Sequence, residues 1–265
     1  MKYTLLICLF LLVSCGRTTK QEIIYSNLAG ESSQKEIREL LFQKMNHPPA
    51  IQTYFEYVED INQRAISPLV DEFTILNKSS ISYSDFVFQT SDNLEINSRI
   101  AAYILLGNEI DVEGDCDLKD SYVVDDISFL NNSLQASTEE IEDYACIYST
   151  IPVSNDLGEH IASINSFFES IDLEVSEDHT ISLIRIYVHN PSKHLRYIEH
   201  AGVLVEKFND LVFLEKYGSN YPFQVTKFDN RTQLIHYLLD RPTLQSRKAL
   251  VPLIYENTTL ISPTS

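Results

Sequence analysis

The sequence predicts an α+β fold, with a helical N-terminal half followed by an antiparallel sheet. Two observations carry this expectation. Apolar residues recur at helical spacing through the first half, and from residue 181 the chain turns to β-rich runs broken by turn signals. Helices first and strands afterwards, without regular alternation, is the pattern of segregated architectures. The 265 residues include only 7 glycines and 9 prolines, with many Ile, Leu, Val, Phe and Tyr, so the chain can bury a sizeable core and is not disordered.

The elements follow in order. "SSQKEIRELLFQKM" sets Ile37, Leu40, Leu41 and Met45 on one stripe, with Ser32 or Ser33 as its cap and Pro48-Pro49 as its end. "AIQTYFEYVEDINQRA" repeats the stripe with Ile51, Tyr54, Phe55, Val58 and Ile61, which reads as core. A third helix, led in by residues 91–93, opens on Ile96-Asn97-Ser98-Arg99 and stops at Gly107, just past its C-cap. "DVEGDCDLKDSYVVDD" (residues 111–126) is dense in carboxylates. A calcium loop would need a bidentate Glu where Tyr122 stands, and Gly114 is misplaced for one, so this stretch reads as a solvated acidic loop without metal.

The second half changes character. "LGEHIASINSFFESIDL" is an amphipathic helix carrying His160 and Phe168; the histidine, behind Gly-Glu at the helix start, reads as a partly buried structural residue, with a second-site residue as the alternative. "HTISLIRIYVHNP" alternates Ile181, Leu183, Arg185 and Tyr187 against Ser182, Ile184, Ile186 and Val188, a strand buried on both faces and stopped by Asn190-Pro191. "HAGVLVEKFNDLVFLEKY" is a hairpin turning near Asn209-Asp210, and "TKFDNRTQLIHYLLDRP" closes in a helix broken at Arg241-Pro242.

The N-terminus stands apart from this fold. Lys2 precedes the nine-residue apolar run Leu5 to Val13, too short for a bilayer-spanning helix of about 20 residues. It ends in Leu12-Val13-Ser14-Cys15, which resembles the lipobox of bacterial lipoproteins. An ordinary secretory signal with a chance cysteine is the alternative. The lipobox resemblance implies cleavage before Cys15 and a diacylglyceryl thioether on its sulfur. Residues 1–14 are then a signal peptide, 15–24 a lipidated tether and 25–262 a single α+β domain, held at the extracytoplasmic face of the cell membrane. The net charge of −18 becomes −19 when Lys2 leaves, which speaks against nucleic-acid partners and against attraction to anionic headgroups. The lipid would therefore be the membrane contact.

Cys116 and Cys146 remain after the signal and the lipidated thiol. They either form a disulfide, which that setting would preserve, or stay as two separate thiols, and neither has a basic neighbour marking a catalytic thiolate. No phosphate loop, dinucleotide motif, His-x-x-x-His or Cys-x-x-Cys occurs, and His47, His179, His189, His194 and His236 lack ligand spacing, so no cofactor and no metal are expected.

Candidate chemistry gathers at His200, which opens the hairpin beside Ala201-Gly202. With an odd-sum pairing register, Glu215 on the return strand shares its face within side-chain reach. Small Ala201 and Gly202 would let a backbone or a substrate approach. A helix start aimed at His200 would complete a nucleophile, base and orienting acid.

"IIYSNLAGESSQKEIRELL", "NSRIAAYILL", "HAGVLVE" and "LVFLEKYGSNYPFQVTKF" together resemble an uncharacterised family of bacterial lipoproteins, the domain of unknown function 4300, over nearly the whole chain beyond the signal. The helix-opening motif of that family reads Asn-Cys-Arg and its hairpin motif Gly-His-x-Gly, a pattern similar to papain-like peptidases and amidases of the NlpC/P60 kind. The resemblance implies a papain-like arrangement with Ser98 in the cysteine position and His200, Gly202 and Glu215 matching, while Glu199 replaces the glycine before the histidine. A thiol at a helix start ionises readily beside an imidazolium, whereas a hydroxyl needs strong general-base help. Serine also suits such a position simply by bonding backbone amides. Two functions are therefore expected. One is a binding or interaction module on a degenerate peptidase- or amidase-like scaffold, reading cell-wall peptide or a surface protein. The other is a hydrolase or acyl transferase on amide or ester bonds, with Ser98 as nucleophile, His200 as base and Glu215 as orienting acid.

Overall fold

The computed structural model describes residues 22–76, 96–114, 116–154, 156–175, 180–208, 210–245 and 250–262. The signal-like segment, Cys15, most of the tether, the lead-in at 91–93 and His179 lie outside the described residues. In chain order the elements are β1 (Ile24–Ser26), α1 (Glu31–Lys44), α2 (Pro48–Arg64), β2 (Thr74–Ile75), α3 (Ser98–Leu106), β3 (Ile110–Asp111), α4 (Val124–Phe129), α5 (Thr138–Tyr148), β4 (Ile151–Pro152), α6 (Leu157–Ser170) and β5 (Glu174–Val175). They continue through β6 (Ile181–Asn190), β7 (Leu195–Lys207), β8 (Asp210–Lys216), β9 (Phe223–Phe228), α7 (Arg231–Leu239), α8 (Pro242–Gln245), β10 (Leu253–Glu256) and β11 (Thr259–Leu260). This is an α+β fold with most of its helix in the N-terminal half.

The expected stripes are the buried faces. α1 buries Ile37, Leu40 and Leu41, and α2 buries Ile51, Tyr54, Phe55, Val58 and Ile61. Three boundaries differ from expectation. Gly30 is the N-cap of α1, and Ser33 sits inside the first turn, donating its hydroxyl to the Gly30 and Asp71 carbonyls. Pro48 and Pro49 begin α2 rather than end α1, since a first-turn proline lacks only an N–H that would have no helical partner. Gly107 keeps a right-handed φ of −53° and leads into a 3₁₀ turn. Its smallness serves packing, because a Cβ there would meet the Tyr103 ring at 2.9 Å.

One antiparallel sheet organises the domain, in the order β11-β10-β6-β7-β8-β9-β1-β2, with β4 also paired to β7. A large core joins one sheet face to α1, α2, α3, α5 and α6, and a smaller core joins the other face to α7. β6 serves both: Ile181, Leu183 and Tyr187 enter the large core, and Ile184, Ile186 and Val188 the smaller one. The β7–β8 ladder closes at Lys207–Asp210, with Phe208 fully exposed at φ 54°, so the hairpin turns one residue earlier than expected.

A β-bulge interrupts the central ladder. Ile186 opposes His200 while Tyr187 opposes Ile198, which leaves Glu199 as an extra residue on β7. Side-chain parity therefore changes across it: Ile198 belongs to the large core, and so do Ala201, Val203 and Val205. His200 consequently lies on the face covered by α7. Elsewhere, Cys116 and Cys146 are joined in a disulfide that ties the acidic segment to α5.

Candidate functional site

The start of α3 is fixed from several sides. Asn97 is the N-cap, its side chain accepting from the Arg99 and Ile100 amides at 2.9 and 3.1 Å. Its Nδ2 donates to Asp126 Oδ1 at 2.5 Å, and Arg99 Nε and the Tyr144 hydroxyl donate to Asp126 Oδ2 at 2.7 and 2.6 Å. Asp126 is only 5% exposed, so the acidic segment is not uniformly solvated: its last residue is the buried anchor of α3. Arg99 Nη1 donates to the Ile198 carbonyl at 2.9 Å, and Ser98 Oγ accepts from the Ala201 amide at 3.2 Å. These two backbone groups flank the bulge, beyond the last β7–β8 pair at Val203–Leu214. The first two residues of α3 thus satisfy strand groups in that stretch.

His200 makes its contacts on the opposite face. The β7–β8 register has an odd sum, which sets Glu215 opposite Gly202 and on the same side as His200. His200 Nε2 lies 2.5 Å from Glu215 Oε2, Arg241 Nη1 donates to that oxygen at 2.6 Å, and the Tyr237 hydroxyl donates to Oε1. Arg241 also donates to the Tyr217 carbonyl at 2.6 Å and stacks 3.9 Å from the Tyr217 ring centroid. Its place follows from the helix break, since Pro242 starts α8 and Arg241 occupies the corner beneath Glu215. His200, Glu215 and Arg241 are all buried.

The charges follow from this packing. Burial alone would raise the Glu215 carboxyl, but Arg241 first, then His200 and the Tyr237 hydrogen bond, hold it well below the usual carboxylate range. Burial, reinforced by Arg241, pushes His200 below its ordinary value against the pull of Glu215. At neutral pH the carboxylate is therefore ionised and the imidazole neutral. A neutral ring donating Nε2–H to Glu215 carries its lone pair on Nδ1, the protonation state of a general base.

The third member does not close onto this pair. Among the described residues no hydrogen bond joins Ser98 Oγ to His200, and the serine meets the backbone of the next residue instead. Gly202 does admit a close backbone, that of the neighbouring strand: a Cβ there would lie 2.4 Å from the Phe213 ring and 2.8 Å from the Leu214 carbonyl. Glu199, in the bulge, has its carboxyl pushed up by burial. A hollow of about 670 Å³, lined by Lys119, Asp120, Tyr122 and Lys193 among others, reaches neither Ser98 nor His200. Among the described residues no cluster of three or more His, Cys, Asp or Glu could hold a metal. Sequence reasoning missed Arg241, Tyr237 and Asp126. The one available signal was an arginine placed at the break between a helix and a proline.

Fold and site together define an α+β protein with a sealed His–Glu–Arg node on one face of its sheet and a helix-start serine bonded to the strand beside it. The chain belongs to the family described as domain of unknown function (DUF4300), whose model matches residues 24–261. No curated protein and no solved structure matches it. No described helix is long and apolar enough to cross a membrane.

Proposed function

We propose that this protein is a lipid-anchored, extracytoplasmic binding or interaction module, built on a papain-like (NlpC/P60-like) scaffold whose catalytic centre has degenerated. The observation that carries this reading is the engagement of Ser98: its oxygen accepts the Ala201 amide at 3.2 Å, while His200 is held by Glu215 on the α7 face. A serine becomes a nucleophile only when a base reaches its proton, and a hydroxyl gains little from a helix start by itself. Anchoring rests on Leu12-Val13-Ser14-Cys15 behind a short apolar run. Cell-wall peptide or a surface protein is the partner class that the scaffold suggests.

One observation favours a second reading, a hydrolase or acyl transferase on amide or ester bonds. His200 is neutral and oriented through Nε2, which leaves Nδ1 with the lone pair that a base requires. A fluorophosphonate probe on the purified protein separates the two. The expected result is no labelling of Ser98 above that of a His200→Ala variant. Strong labelling lost in that variant establishes the enzyme and removes the degenerate reading. For the anchor, Cys15→Ala should release the protein from membranes or leave it unprocessed, and equal membrane retention of a correctly processed variant removes that part.

A further inference from the structure

The hollow of about 670 Å³ opens where the acidic segment, the ends of α5 and α6, and the turn between β6 and β7 meet. Its walls are held by contacts that fix their shape. Cys116, on the lining, is bonded to Cys146 of α5. Asp120 accepts the Tyr122 and Thr150 amides, one on each oxygen, at 2.9 and 2.8 Å. The Tyr122 carbonyl accepts from Arg99 Nη2 at 3.1 Å and its hydroxyl from Asn190 Nδ2 at 2.8 Å. Its ring stacks on Tyr197 with centroids 4.5 Å apart. The cations of the lining are not spent in this way. Lys119 and Lys193 are both exposed, and among the described residues no carboxylate lies within 4 Å of either ammonium. The chain has 38 acidic residues against 20 basic ones, so counter-charges are plentiful elsewhere. The Tyr122 ring positions the Lys193 ammonium, 4.9 Å from its centroid, without neutralising it.

We propose that this hollow binds an anionic sugar, a saccharide unit whose acid group is a carboxylate or a phosphate. Lys119 and Lys193, from two separate segments, receive the acid group. The other polar groups of the lining select for hydroxyls. Ser149 and Ser170 donate their hydrogens to the Ala145 and Phe167 carbonyls at 2.6 and 2.7 Å, so their oxygens present lone pairs. Asp117 accepts the Lys119 amide on one oxygen at 2.9 Å, and its other oxygen is a further acceptor. A bare anion has no donors to offer these groups, whereas sugar hydroxyls supply them. Half-buried Phe167 and Leu195 add the apolar surface that the C–H face of a sugar ring covers. The net charge of −18 repels anions in general, so uptake depends on the two local lysines. Ser98 and His200 do not line the hollow, and the assignment is independent of the degenerate-centre reading.

The test is a titration of the whole ¹⁵N-labelled protein at constant ionic strength, read from the Tyr122 and Thr150 amide signals in ¹H–¹⁵N spectra. The probes are glucuronate, N-acetylmuramate and glucose 6-phosphate, beside glucose, acetate and inorganic phosphate. At least one anionic sugar should move these signals saturably, with a Kd at least about tenfold below those of glucose and the free anions, the value of roughly one charge-assisted hydrogen bond. A carboxylate sugar binding more tightly than glucose 6-phosphate identifies the acid group as carboxylate, and the reverse order as phosphate. Lys119→Gln and Lys193→Gln alter exposed side chains and should leave the fold intact. Each should weaken binding about 3–10-fold, and the double variant should lose it. No saturable shift with any of the three sugars, equal affinity for glucose or for the free anions, or undiminished binding by the double variant overturns the site.

Discussion

Replacing Arg241 by Met should destabilise the protein by about 3–5 kcal/mol at neutral pH, the usual cost of removing one partner of a buried ion pair. The magnitude can be worked from the contact. Opposite charges 2.6 Å apart attract by about 6 kcal/mol at an effective dielectric of about 20, and desolvation offsets part of that. The variant leaves the Glu215 carboxylate buried with His200 and Tyr237 as its remaining donors, neither of which brings a charge at neutral pH. It also loses the hydrogen bond to the Tyr217 carbonyl and the stacking on that ring, so the single substitution overstates the pair. A double-mutant cycle with Glu215→Gln isolates it. Guanidinium unfolding, followed by circular dichroism at pH 7, reads each stability. The double variant should be markedly more stable than the two single losses added together, with a coupling of about 2 kcal/mol or more. Additive losses, or a single-variant cost below about 1 kcal/mol, would refute the argument that Glu215 is held as a carboxylate by Arg241.

Two further outcomes follow from the same contacts. Acidification should destabilise the fold from about pH 6.5 downward: burial lowers His200, His160 and His189 below the ordinary histidine value, so the unfolded chain takes protons that the native state refuses. His200 contributes a slope of up to about 1.4 kcal/mol per pH unit, and Glu215 adds a second decline below the ordinary carboxylate range; a flat unfolding midpoint between pH 7 and 5 would contradict this. Gly202→Ala should cost about 1–3 kcal/mol by overpacking against the Phe213 ring and the Leu214 carbonyl, which an unchanged midpoint in the same denaturation assay would exclude.

Much of the fold was legible because its signals are local. The stripes of α1 and α2 and the two-sided burial of β6 are periodicities within one element, so tertiary contacts only had to agree with them. β1, at three residues, is too short to show any period, and its partner β9 is distant in sequence. The pairing of His200 with Glu215 could be reasoned from strand parity, given a register. Its other half could not. Arg241 reaches Glu215 across 26 positions and Asp126 reaches Arg99 across 27, and both depend on how helix corners meet the sheet. The approach of Ser98 was equally hidden, since helical spacing says which residue starts α3 but not which strand group it meets.

The bulge at Glu199 behaves like a frameshift in a message read two letters at a time. Restoring an uninterrupted reading of β7 would push Glu199 into the large core, move Ile198 out of it, and carry Arg196 away from His160. A charged residue at that position makes the uninterrupted alternative the expensive one, because a carboxylate would displace an isoleucine inside the apolar layer. The two halves of the strand are thereby kept in different frames by one residue, and the misaligned hairpin carries its own penalty.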